Sequence, residues 1–294
     1  MQANFRGSGV ALVTPFLADG TIDFQALEQL VEFHASNKTD YLVVLGTTAE
    51  TATLNAKERK QVIDFIKDKN KGRMPLVIGV GGNCTQAVVE QIAETDFDGI
   101  AGILSVAPYY NKPGQEGICA HFMAVAEVCP VPIILYNVPG RTGVNMSAAT
   151  TVKLAKASSK FVAVKEASGD MTQVAHIIKN KPASFQVISG DDGLAVPMIS
   201  IGAEGVISVV ANALPLELSN MVHAALNNDY TTAAQLHALL LEFIDAMFAE
   251  GNPAGVKAAM VQLKLIQNNL RLPLCPVSDS LYQQIETLLK EIKA

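Results

Sequence analysis

Cysteine is scarce in this chain. Cys84, Cys119, Cys129 and Cys275 are the only four, and none belongs to a C-x-x-C pair. That spacing disfavours zinc ribbons and dithiol redox centres, and it fits reduced thiols in a cytoplasmic protein. Cys129 and Cys275 each precede a proline, which places them in connections. The five histidines, His34, His121, His176, His223 and His237, are scattered over helical stretches with no metal-ligand spacing, so no metal is expected. Long apolar runs are missing too: "VPIILYNVP" is too short and too interrupted to cross a bilayer. The opening "MQANFRGSGV" lacks the apolar segment of a signal peptide. Positive charge is not in excess. The formal net charge is −6, which argues against nucleic acid or an anionic membrane as partner but leaves room for a local cationic pocket.

What is present is an alternation. Short β-rich runs at 9–15, 41–48, 75–82, 102–110, 132–139, 161–168, 185–192 and 205–212 are separated by helical patterns such as 23–37 and 55–72. Strands of near-continuous apolar content suit a parallel sheet covered on its outside. Eight such units predict an α/β fold, a closed (β/α)8 TIM barrel over residues 1–228. The doubly wound alternative needs G-x-G-x-x-G after its first strand, and the nearest match, "GVGGNC" at 79–84, follows the third and ends in cysteine. After Asn228 the strands stop, and three helical patterns predict a C-terminal extension over 229–294.

In a barrel of this type the reactive groups lie at the carboxyl ends of the strands. Those ends read "GTTAET", "GGN", "PYYN", "YNVPGRTG", "KEASG" and "SGDD", rich in hydroxyls, with one lysine and one nearby arginine. The run "FVAVKEASG" at 161–169 is the informative one, because an ammonium is costly to bury and Lys165 falls near the strand's end. Period-two alternation puts Phe161, Ala163 and Lys165 on one side, Ile134 and Tyr136 on one side of their strand, and Val43, Leu45 and Thr47 on one side of theirs. If those sides face the barrel axis, lysine, tyrosine and threonine converge. A buried amine that sheds its proton can attack a ketone and form a Schiff base. The protonated imine is an electron sink, so the neighbouring carbon can lose a proton and attack an aldehyde, with hydroxyls in line to shuttle protons. Taken singly, each residue has a plainer reading. Lys165 can snorkel to solvent, Tyr136 can be a packed aromatic, Thr47 a turn residue, Arg141 a surface residue and Asp191–Asp192 a helix cap.

Taken together, "GVALVTPF", "GTTAETATLN", "PYYNKP", "YNVPGRTG", "VKEASGD", "SGDD", "GVISV", "NPAGVKAAM" and "LRLPLCPVSD" run through essentially the whole chain in one order. In these the chain resembles the dihydrodipicolinate synthase and N-acetylneuraminate lyase family of class I aldolases. The arginine after Y-N-V-P resembles the synthase branch. That resemblance implies a metal-independent, cofactor-free lyase that condenses pyruvate with L-aspartate 4-semialdehyde to 4-hydroxy-tetrahydrodipicolinate, on the route to diaminopimelate and lysine. It implies Lys165 as the Schiff-base residue and Tyr136 as proton donor and acceptor, with Thr47 and Tyr110 as relay partners and Tyr110 reaching a neighbouring subunit. It implies Thr48 and the backbone of Ile207 as pyruvate contacts and Arg141 as the site for the semialdehyde's carboxylate. Gly190, in "SGDD", joins the substrate-binding candidates. Family members are usually homotetramers built from two tight dimers. The rival readings are a sialic acid or 2-keto-3-deoxygluconate aldolase, which would share Lys165 and Tyr136, and a catalytically inactive ligand-binding barrel.

Lysine-sensitive members of the family bind lysine at the dimer interface. The resemblance matches Asn83 and Tyr109 to that site. The family glutamate four residues after the asparagine is Ala87 here, and a histidine often found on the helix after "TLN" is Arg59. Losing an anion and gaining a cation both disfavour a cationic ligand, and Glu90, one helical turn on, is the nearby carboxylate that could stand in. Weak inhibition is therefore expected. In a titration of the purified enzyme with lysine, half-inhibition should lie above about 1 mM, equivalent to binding weaker than about −4 kcal/mol. Inhibition at much lower concentration would overturn this expectation.

Overall fold

A computed structural model describes residues 4–293. Eight parallel strands close on themselves in chain order: β1 Gly7–Ala11, β2 Tyr41–Val44, β3 Leu76–Gly79, β4 Gly102–Val106, β5 Ile133–Asn137, β6 Phe161–Glu166, β7 Gln186–Ser189 and β8 Gly205–Ser208, with β8 pairing back onto β1. Helices fill the crossovers, which is the (β/α)8 architecture. Among the described residues no helix is long and apolar enough to cross a membrane.

Local sequence explains where the elements begin. Asp23 Oδ1 accepts from the Ala26 amide and starts the helix Phe24–Ser36. Asn55 and Glu58 form a reciprocal capping box at the head of Ala56–Asn70. Most strands stop short of the apolar runs in the sequence. Leu45 takes φ 59° and ends β2, and the chain then makes two 3₁₀ turns, Thr47–Ala49 and Thr51–Thr53. Polar residues that look like strand ends are therefore loops above the barrel.

Two apolar layers follow from the alternation. Val10, Val44, Leu76, Ile103, Val164 and Val187 point outward to the helices, whereas Ala11, Val43, Val77, Leu104, Ile134 and Ala163 fill the barrel. At the amino-terminal end Tyr41 packs inside against Phe5, with ring centroids 5.6 Å apart. Gly9 makes room for it, because a Cβ there would lie 2.3 Å from the Tyr41 ring. One expected alternation fails. The β5–β6 register shifts between Ile133, opposite Phe161, and Ile134, opposite Ala163. This bulge leaves Val162 as an extra residue. Phe161 therefore joins the outer layer, edge-on to Phe122 at 6.4 Å, and does not share a side with Lys165.

The helices Tyr230–Phe248, Ala254–Gln262 and Asp279–Lys293 pack on this framework, and Phe243, Met247, Val256 and Ile285 belong to the same outer core. A wholly buried ion pair also ties them down. Lys257 Nζ donates to Glu50 Oε1 and to the Asn269 carbonyl, and it lies 4.4 Å from the Phe16 ring centroid. Burial pulls Lys257 below the ordinary lysine range, and Glu50 opposes that pull. The Arg271 amide donates to the other Glu50 oxygen at 3.0 Å, and its guanidinium binds both oxygens of Glu58. Removing one member of such a pair costs on the order of 3–5 kcal/mol, since the other is left charged and buried.

His34 is also fully buried. Its Nδ1 meets the Thr39 hydroxyl at 3.0 Å, and burial depresses its pKa from 6.5 to about 3. The unfolded chain therefore takes up a proton that the native state refuses. The stability involved is fully present above pH 6.5 and lost as pH falls towards about 3. Urea unfolding should lose about 2 kcal/mol from this group between about pH 8 and pH 5. His34→Leu should remove that increment, and an unchanged pH dependence in the variant would contradict it.

Candidate active site

Tyr136 on β5 stands directly opposite Lys165 on β6. Both side chains enter the mouth of the barrel, and Lys165 Nζ sits 4.5 Å from the centre of the Tyr136 ring. Lys165 is only 5% exposed, yet no hydrogen bond or ion pair holds its Nζ among the described residues. Space for it comes from Gly190: a Cβ there would lie 3.1 Å from Lys165 Cε and 2.6 Å from Ala167 Cβ. On the other face of the strands Asn137 stands opposite Glu166. Asn137 Nδ2 donates to both carboxylate oxygens of Glu166, at 3.1 and 3.0 Å, and Gln173 Nε2 and the Ser168 amide donate to them as well. This pairing holds the register one residue beyond Tyr136 and Lys165.

A cavity of about 730 Å³ opens at this point, and Lys165, Tyr136, Thr47, Thr48, Arg141 and Gly190 all line it. An adjoining cavity of about 420 Å³ shares Thr47, Tyr136 and Arg141. Six of the eight residues expected from the sequence are thus together. Thr47 arrives by a different route from the one expected. Leu45 turns outward into the helix-facing core, so alternation does not carry to Thr47, which instead opens the first 3₁₀ turn.

The other two stand apart. Tyr110 is 87% exposed and lines neither cavity. Ile207 is buried in the barrel interior, also outside both linings, and Val209, two residues on, reaches the mouth instead. Asp191 lines the cavity, while Asp192 turns away to accept from the amides of Val209 and Val210 at 2.9 and 3.3 Å. Burial raises the Asp192 pKa against the effect of those donors.

One residue of the mouth escapes sequence reasoning. Asn252 lines both cavities and donates from Nδ2 to Thr48 Oγ1 at 3.0 Å. In "GNP" it reads as helix punctuation, and its place in "NPAGVKAAM" is the only signal. No group of three or more His, Cys, Asp or Glu side chains among the described residues is placed to hold a metal ion.

A family model described as the Dihydrodipicolinate synthetase family matches residues 4–292. The chain belongs to that family. A relative from Parabacteroides distasonis, named 4-hydroxy-tetrahydrodipicolinate synthase, is 52% identical over 289 residues, covering 98% of this chain and 97% of its own. The solved dihydrodipicolinate synthase of Aquifex aeolicus superposes with TM-score 0.95 at 41% identity, covering 98% of each chain. That of Acinetobacter baumannii, solved in complex with pyruvate, does so with TM-score 0.96 at 39% identity, covering 99% of each. Against this family background the Gly190 contact is directly testable. Gly190→Ala should cost about 1–3 kcal/mol in denaturant unfolding, because the added methyl group meets both Ala167 and Lys165. Undiminished stability would mean that the strand ends yield more easily than their packing implies.

Proposed function

We propose that the chain is a 4-hydroxy-tetrahydrodipicolinate synthase, a lyase that condenses pyruvate with L-aspartate 4-semialdehyde through a Schiff base on Lys165. The observation that carries this reading is a buried lysine without an ionic partner, set against Tyr136 at the mouth of a barrel whose relatives bear that name along their whole length. In its neutral form the Lys165 amine adds to the ketone carbon of pyruvate. Water leaves, and the resulting iminium takes up the electron pair of a C–H bond of the adjacent methyl group, whose proton passes to the Tyr136–Thr47 relay, leaving an enamine. The enamine carbon then attacks the aldehyde. Tyr136 and Thr47 carry protons between these steps, and Tyr110 of a neighbouring subunit completes the relay. Thr48 holds the pyruvate carboxylate and Gly190 shapes the pocket beside the lysine, while a further contact from the Ile207 backbone has the family resemblance alone behind it, since Ile207 lies outside both cavity linings. Arg141, exposed at the cavity's rim, receives the semialdehyde's carboxylate with its planar fork.

The solved relative with pyruvate bound supports pyruvate as first substrate. The exposure of Tyr110 supports an assembly in which a second copy covers it, and a homotetramer of two dimers is the proposed form. The proposed chemistry asks for no metal or cofactor, and the proposed compartment is the cytoplasm. In this reading residues 1–228 form the catalytic barrel, and 229–294 form an extension that helps to build its mouth. Of the positions matched to the lysine-effector region, Arg59 and Tyr109 line the smaller cavity, Asn83 and Ala87 do not, and Glu90 accepts from Gln86.

Borohydride reduction in the presence of pyruvate should leave a covalent adduct at Lys165, located by mass mapping. Lys165→Arg should abolish the adduct and most turnover. An active enzyme with unmodified Lys165 would defeat the mechanism. Arg141→Ala should spare the adduct and lower kcat/KM for the semialdehyde roughly ten- to hundredfold, as expected for a lost charge-assisted contact of about 1.5–3 kcal/mol. Equal loss of trapping and turnover would assign Arg141 another task.

A further inference from the structure

We propose that Asn252 is a substrate-positioning residue that acts through Thr48, reserving the threonine's proton for the carboxylate of the first substrate. The inference rests on the reading of Thr48 as a pyruvate contact.

A threonine hydroxyl has one proton to give and two lone pairs. Asn252 Nδ2 occupies one lone pair, at 3.0 Å. No protein acceptor takes the Thr48 proton among the described residues, and Thr48 lines the larger cavity. The hydroxyl is thus set as a donor towards the space where an anion would sit. Asn252 is itself 8% exposed, and its Oδ1 is buried without a partner. A polar side chain kept in that condition has no purely structural advantage over a smaller one.

The backbone of Asn252 does a separate job. Its carbonyl accepts from Arg141 Nη2 at 3.4 Å, so one residue of the extension touches the groups proposed for both substrates. The arrangement is held from below. Lys257, on the helix that begins just after Asn252, is bonded to Glu50, which lies two residues after Thr48. Because the Arg141 contact uses the main chain and the Thr48 contact the side chain, substitutions at 252 should separate the two substrates.

The decisive measurement is a double-mutant cycle between positions 252 and 48, read as pyruvate KM, semialdehyde KM and kcat, with thermal unfolding as control. Asn252→Ala should raise pyruvate KM several-fold, up to roughly tenfold, as expected for one lost hydrogen bond, with the other two parameters within about twofold. Asn252→Asp keeps the shape, reverses the polarity of the bond and adds a negative charge, so its effect should be larger. It also serves if the alanine variant folds poorly. In a Thr48→Val background the alanine effect should largely vanish, and the aspartate effect should shrink to the part its charge exerts directly. Effects that persist undiminished without the Thr48 hydroxyl would overturn the proposal. So would a general loss, in which both KM values rise, kcat falls and thermal stability drops together. If Thr48→Val alone leaves pyruvate KM unchanged while the Lys165 adduct still forms, Thr48 is no pyruvate contact and the proposal falls with that assignment. If no adduct forms at all, the proposed function itself has failed.

Discussion

The register between β5 and β6 is the constraint on which the site depends. Tyr136 and Lys165 meet because their strands are neighbours in a closed parallel sheet and because the bulge near Val162 brings Ala163, not Phe161, onto the interior side. A slip of one residue would turn Lys165 towards the helices and bring Glu166 into the mouth. The Asn137–Glu166 pair on the opposite face resists that slip. Asn137 reaches the buried Glu166 carboxylate from the neighbouring strand in this alignment, alongside the Gln173 and Ser168 donors. The chemistry inside the barrel is thus secured by hydrogen bonds outside it.

The second anchor comes from the far end of the chain. Thr47 and Thr48 sit on tight turns with no sheet ladder to hold them. Glu50, in a left-handed conformation between the two turns, is gripped by Lys257 and by the Arg271 amide, while Asn252 reaches Thr48 directly. Buried ion pairs seldom exceed an apolar replacement in net stability, but they tolerate little misplacement. Here that intolerance is useful, because it fixes one turn relative to a sheet it does not pair with.

How much of this was legible depends on which physical rule governed each residue. Where strands are regular, period-two alternation suffices. Ile134 and Tyr136 share the interior, and Lys165 follows Ala163 into it. Where the backbone departs from the strand, the rule misleads. Leu45 at positive φ breaks the link to Thr47, and the bulge sends Phe161 outward. The eight-strand barrel was readable because its apolar runs and crossovers repeat. Strand lengths were not, since hydrophobic residues continue into loops that cover the mouth. Asn252 was hidden for another reason. Gly-Asn-Pro carries a strong local turn signal, and nothing in its neighbourhood reveals a partner 204 residues away. Tyr110 stands in solvent on this chain, outside both cavities, and its sequence neighbourhood does not foretell that position.

Tyr41 and Phe5 have a consequence for traffic. By filling the amino-terminal end of the barrel, they make the chamber a blind alley. Whatever reaches Lys165 must come through the same opening by which water and product depart. A group bonded to Lys165 lies at the inner end of that chamber, so anything seated afterwards at the rim stands between it and solvent. Shape alone then distinguishes an inner place from an outer one, before any difference in affinity is considered.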